Sequence, residues 1–300
     1  MRPISTITRR RALLAVASLP SVALSRVAAQ DNSGERRRVL FFTKSSGYEH
    51  DVVKRNGKDL SLAEKIFTEL GKKLGCQIAA TKDGRLFDGD LSAYSAFCFF
   101  TTGDLIEPGT DEAPPMSPHG KDALLAAIRG GKGFLGLHCA SDTFHSKGDA
   151  FLTQANPDPY ISMLGGEFLS HGRQQEARVR VVDAMFPGFS SLNDGFKTVE
   201  EWYSLKNFAK DLHVLMVLDT GGMQDSEYAR PPFPLAWARR EGNGRVYFNA
   251  MGHREDVWTS DRFQQMLVGA LAWTTGMIEV SLRANIFEAT PRASALPPRH

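Results

Sequence analysis

The sequence predicts an α/β fold: a doubly wound, mostly parallel sheet flanked by helices. Two observations carry this. RVLFFT (38–43), AFCFFTT (96–102) and GFLGLH (133–138) are short, wholly apolar runs, as expected of strands buried on both faces. Segments of helical periodicity alternate with them, which is the pattern of a parallel sheet.

Taken in order, residues 1–29 stand apart. They begin with basic residues, continue through an apolar run from Ala12 and end on Val27-Ala28-Ala29. This reads as an export signal, too short for an ordinary membrane span. Thr8-Arg9-Arg10-Arg11-Ala12-Leu13-Leu14 resembles a twin-arginine signal, which places the mature protein in the periplasm or another extracytoplasmic space. An ordinary secretion signal or an uncleaved anchor is the alternative. Five of the 36 basic residues and none of the 34 acidic ones fall in this segment, so the remainder carries a net charge of −3. The apparent basic balance belongs to the signal, which argues against nucleic acid as a partner. With the signal removed, no membrane span is expected.

Residues 30–37 are polar and read as a linker. A single domain is expected over 38–280, followed by a loose tail over 281–300. After the first strand, Ser61-Leu62-Ala63-Glu64 fits a capping box, and Leu62, Ile66, Phe67, Leu70 and Leu74 follow at helical spacing until Gly75. QIAATKD (77–83) is a strand, GTDEAPPMSPHG a loop, and KDALLAAIRGG (121–131) a short helix. The second half is richer in strand: ARVRVVD (177–183), TVEEWYSL (198–205), HVLMVLD (213–219), PLAWARRE (234–241) and RVYFNAMG (245–252). DRFQQMLVGALAWTTG (261–276) closes the domain as a helix with a wide apolar face.

In such sheets ligands bind beyond the carboxyl ends of the strands. His50 follows the first strand, His138 and His145 follow GFLGL, His171 lies in LGGEFLSHG, and His253 ends a late strand. His138 reads either as a general base or metal ligand, or as a buried imidazole satisfied by a carbonyl. Asp142 could orient an imidazole. Glu167 and His171 would share a face if helical. Glu201, beside Trp202 and Tyr203, suits sugar hydroxyls, although both aromatics also fit strand core. Cys139 sits one residue late for the nucleophile of a strand–turn–helix elbow, where Gly136 would put His138 instead. Cys76, Cys98 and Cys139 show neither disulfide nor thiolate-zinc spacing. No dinucleotide or phosphate-loop glycine pattern is present, so no nucleotide cofactor is expected.

Together RVLFFTKSSGYEH, GFLGLHCASDTFH, LGGEFLSHG, VEEWYSL, PLAWARREGNGRVYFNAMGHREDVW and the closing helix resemble the trehalose-utilisation (ThuA-like) family, from about Arg38 to Gly276. The resemblance implies a fold like the class I glutamine amidotransferases, flavodoxin-like in outline. It implies His138 in place of their nucleophilic Cys, and hence no amidotransferase activity. It also implies sugar metabolism, particularly disaccharides and 3-keto glycosides. His50, His138, Asp142, His171, Glu201 and His253 are the family-like polar residues.

The expectation is therefore a lyase, hydrolase or isomerase of keto-sugars. His138, His50, Asp142, Glu201 and His253 are its candidate catalytic residues, and His138, His171 and His253 the candidate ligands of a divalent metal such as zinc. Its substrate would be a small sugar, with an exported oxidoreductase as a candidate partner. The rival expectations are a non-catalytic carbohydrate-binding partner of such an oxidoreductase and a cysteine hydrolase using Cys139.

Overall fold

A computed structural model describes residues 37–299. Residues 1–36, where the export signal and most of the linker are expected, lie outside the described residues.

The first half builds a five-stranded parallel sheet. Its strands are β1 (Arg38–Phe42), β2 (Gln77–Thr81), β3 (Ala96–Phe99), β4 (Gly133–Leu137) and, from much later in the chain, β11 (Gly244–Asn249), in the order β2-β1-β3-β4-β11 with every pairing parallel. Helix α1 (Leu62–Lys73) crosses from β1 to β2, and α2 (Pro118–Arg129) from β3 to β4. These crossovers run in opposite directions along the sheet, so right-handed connections put the two helices on opposite faces. α1 packs with α4 (Glu255–Thr259) and α5 (Asp261–Thr274), whereas α2 packs with α3 (Pro159–Leu164). The sheet is thereby covered on both sides, which is why its strands read as unbroken apolar runs.

The local signals act as expected. Ser61 and Glu64 form the capping box of α1, each side chain bonded to the other's backbone N–H, and Gly75 with φ of +73° follows the helix. α2 begins earlier than its apolar spacing indicated: Ser117 caps it and Pro118 takes the first turn, where no N–H is missed.

An antiparallel extension continues the same nine-stranded sheet: β10 (Phe233–Glu241), β9 (His213–Asp219), β6 (Gln175–Val181) and β7 (Phe196–Glu200). A separate two-stranded sheet pairs β5 (Glu167–His171) with β8 (Tyr203–Lys206). Two expectations change here. TVEEWYSL is two strands in two sheets, interrupted at Glu201 and Trp202. Glu167 and His171 lie on a strand rather than a helix, and an irregularity between Phe168 and Ser170 breaks its alternation.

The tail is also packed rather than loose over its described part. Asn285 pairs with Leu212 and Val214, α6 (Ile286–Ala289) buries Ile286, and the Arg230 guanidinium donates to the Ala293 carbonyl at 2.7 Å. Its apolar residues are sparse but well placed, which composition alone does not register. Among the described residues, no helix is long and apolar enough to cross a membrane.

Candidate functional site

Three parallel strands deliver one histidine each to the same point. His50 lies beyond β1, His253 lies beyond β11, and His138 immediately follows β4. His138 has φ of +43°, a left-handed conformation unusual for a residue with a side chain, and it opens a tight helical turn over His138–Asp142. The sharp turn at the sheet edge aims its imidazole across the strand ends. Glu201 arrives from the other side, at the point where the chain leaves β7 for β8.

One potential ligand atom from each of His50, His138, Glu201 and His253 lies within 4.8 Å of the others. The imidazole centroids are 5.0 Å apart for His50–His138 and for His50–His253, and 5.4 Å for His138–His253. Glu201 Oε2 lies 2.9 Å from His253 Nδ1 and 3.7 Å from His138 Nε2. Yet His50 Nδ1, His138 Nε2 and His253 Nδ1 are all buried without a hydrogen-bond partner; the short His253–Glu201 approach lacks hydrogen-bond alignment. Buried polar atoms are almost always satisfied. Three clustered histidines, each with one orphaned buried nitrogen, gathered with one carboxylate are therefore the feature that marks this site.

Both readings of His138 apply, one to each nitrogen. Nδ1 donates to the Ala250 carbonyl at 2.8 Å, which leaves a lone pair on Nε2 toward the cluster. The Ala250 loop is itself fixed. Buried Glu200 accepts from Gly252 N at 2.9 Å and from Glu201 N at 2.8 Å, joining the loop after β11 to the one that carries Glu201. Tyr203 walls the site: its ring lies 4.1 Å from that of His138, and its hydroxyl 3.4 Å from His50 Nε2.

Burial, with His138 and His253 alongside, pushes the His50 pKa down to about 2. Burial opposes ionisation of Glu201, but His138 and His253 outweigh it and hold the carboxyl well below the usual range. Burial likewise opposes the charge on His253, and the Glu201 and Glu200 carboxylates more than offset it, so that pKa rises. A neutral imidazole beside an ionised carboxylate is the protonation pattern a cation requires of its ligands.

The donor set fits a divalent transition ion. Imidazole nitrogens with one carboxylate are common zinc ligands, and a tetrahedral zinc sets donors roughly 3.4 Å apart. The four side chains would need to draw in only modestly. They differ from the set expected from sequence, because His50 and Glu201 join the group and His171 does not. His171 stands half-exposed at the rim, its Nδ1 3.5 Å from Glu201 Oε1 and 3.0 Å from the Gly172 carbonyl.

The remaining candidates separate. Asp142 turns to His145 at 2.7 Å. His145 also meets buried Glu167 at 3.2 Å; Ser146 and Asn207 complete the carboxylate's hydrogen bonds, and the Lys206 ammonium lies 3.9 Å away. Asp142 and Glu167 hold His145 up to about 9, while His145 and these donors overcome burial to bring Glu167 down to about 2. Cys139 is fully buried and burial pushes its thiol well up, so it lacks the thiolate a cysteine nucleophile needs. His213 is a structural tie between Asp183 and the Arg283 carbonyl. Glu200 and the Ala250 carbonyl carried no sequence signal of their roles, whereas Tyr203 was visible but fitted strand core equally well.

The cluster opens beside His253 into a polar depression of about 410 Å³. A larger cavity of about 510 Å³ lies elsewhere, between Lys206 and the tail residues around Phe287.

Solved structures share this fold. A ThuA-like protein from Bacteroides uniformis superposes with a TM-score of 0.54 at 20% identity, covering 80% of this chain and 91% of that one. One from Parabacteroides merdae gives 0.56 at 16% identity, covering 82% and 92%. No curated protein matches the sequence. The family model for ThuA, described as trehalose utilisation, matches residues 38–274. From β1 through the end of α5, then, the chain belongs to the ThuA trehalose-utilisation family.

Proposed function

We propose that the protein is a sugar-active enzyme that uses a divalent ion held by His50, His138, His253 and Glu201 to act on a disaccharide or 3-keto glycoside, at the keto carbonyl of the latter. One observation carries the reading: three histidines, each with a buried nitrogen that has no hydrogen-bond partner, cluster with one carboxylate. When bound, the ion would supply a Lewis acid that polarises the sugar carbonyl. The chain's own groups do the rest. Ala250 and Glu200 keep His138 and Glu201 in place. His171, whose Nδ1 donates to the Gly172 carbonyl, keeps a lone pair on Nε2 at the rim and moves the proton beside the carbonyl. Tyr203 closes the wall and excludes water. The reading includes export, supported by residues 1–29, and an exported oxidoreductase that makes the 3-keto group.

The test is elemental analysis of purified wild-type protein beside His138→Ala, followed by a screen of 3-keto glycosides for turnover. The expected result is close to one divalent ion per wild-type chain, loss of most of it in the variant, and turnover only in the metal-bound form. A folded wild-type protein that takes up no divalent ion would overturn the metal. Sugar binding that persists without turnover in both proteins would replace the enzyme by a binding protein.

A further inference from the structure

The depression beside His253 is lined by Tyr48, Asp51, Gln174, Arg254 and Asp256, with Glu255 next to them. Its volume of about 410 Å³ lies within the range of small-molecule sites, about 300–1,000 Å³. Tyr48 is 64% exposed, although its ring stands edge-on to His50 at 5.0 Å. A large aromatic left open at the mouth of a buried polar cluster is an informative exposure.

That exposure is held in place. Ser46 N donates to the Thr102 carbonyl at 2.9 Å, Gly47 N to Thr102 Oγ1 at 3.2 Å, and Thr102 Oγ1 to the Tyr48 carbonyl at 2.9 Å. The backbone under the ring is thereby fixed, so little conformational entropy is lost when a ligand covers it. Arg254 is fixed as well, by both carboxylate oxygens of Asp256 at 2.9 Å and by Gln174 Oε1 at 2.6 Å. Of the five N–H donors a guanidinium carries, three are used and two remain.

We propose that this depression is the subsite for the second ring of a disaccharide, the ring without the reacting carbonyl. Tyr48 stacks on its apolar face, while Arg254, Gln174 and Asp51 hydrogen-bond its hydroxyls. The inference rests on the proposed sugar reading and extends it to a preference: a neutral disaccharide over a monosaccharide, and over a sugar phosphate. Charge sets the second preference. Asp51, Glu255 and Asp256 outnumber Arg254 and His253 even with the imidazole counted as a cation, and Asp256 already neutralises the arginine, so a phosphate would meet net repulsion.

Calorimetric titration of the full chain with trehalose, glucose and glucose 6-phosphate tests this, using wild type, Tyr48→Ala and Tyr48→Phe at matched metal content. Wild type is expected to bind trehalose more tightly than glucose, with no detectable binding of the phosphate. Tyr48→Ala should weaken trehalose by about tenfold and leave glucose unchanged, and Tyr48→Phe should retain wild-type affinity. Equal trehalose affinity in wild type and Tyr48→Ala, or phosphate binding at least as tight as glucose, would overturn the subsite while leaving the sugar reading standing. Failure of wild type to bind either neutral sugar would overturn the subsite, and only failure of the 3-keto glycoside screen as well would remove the sugar reading.

Discussion

Two meetings of histidine and carboxylate, around Glu167 and around Glu201, are built in opposite ways. Around Glu167, both nitrogens of His145 are engaged, and Ser146, Asn207 and Lys206 share the carboxylate with it. Around Glu201, three imidazoles crowd one carboxylate and three buried nitrogens are left without partners. The first arrangement is complete within the chain and ties β5 to the segment after β4. The second is incomplete, as a site kept for something outside the chain must be. Residue types do not separate the two; satisfaction of their lone pairs does.

The sharpest way to break this contrast is to remove each carboxylate in turn. Glu167→Ala should cost about 3 kcal/mol of stability in urea unfolding, because buried Lys206 and Asn207 lose their partner. The folded fraction should hold as much metal as wild type, and a loss of metal would erase the distinction. Glu201→Ala should do the reverse, weakening metal affinity by about 100-fold or more while changing the stability of the metal-free protein by less than about 1 kcal/mol. Competition with a chelator and thermal unfolding measure the two effects. The smallest effect concerns pH. With its pKa raised to about 9, His145 contributes stability fully below its unfolded value near 6.5, and this contribution fades as pH rises through about 9. Glu167, lowered to about 2, contributes above its unfolded value near 4.5 and loses that contribution as pH falls through about 2. Comparing wild type with His145→Gln across pH 5 to 10 should therefore show a difference that shrinks from about pH 6.5 upward and is largely gone above about 9. Because the imidazole is 45% exposed, solvent screening keeps that difference small.

The parallel half of the sheet was legible because burial on both faces removes polar residues from its strands, as in RVLFF and GFLGL. The rule that ligands sit beyond such strand ends located His50, His138 and His253. Glu201 was harder. The alternating pattern of TVEEWYSL runs straight through the point where the chain changes sheets, and nothing in it says that the two glutamates serve different ends, Glu200 bracing two loops and Glu201 facing the imidazoles. His171 was grouped with the ligands from a helical spacing with Glu167, whereas both residues lie on β5 and His171 falls outside the cluster of His50, His138, Glu201 and His253. α3 has only six residues, too few to show a period. Which histidines are satisfied depends on carbonyls such as Ala250, which every residue carries and no sequence distinguishes.

The crossing at Glu201 also sets an order of events. The candidate ligands come from positions 50, 138, 201 and 253, and the strand that brings the last of them, β11, inserts beside β4 only after the whole antiparallel extension has been traversed. Contacts so distant in sequence close late in folding. A chain stopped short of β11 would carry three of the four candidate ligands without the fourth. Uptake of the proposed ion would then be linked to completion of the global fold, and each increment of metal affinity would add to the stability of the finished molecule alone.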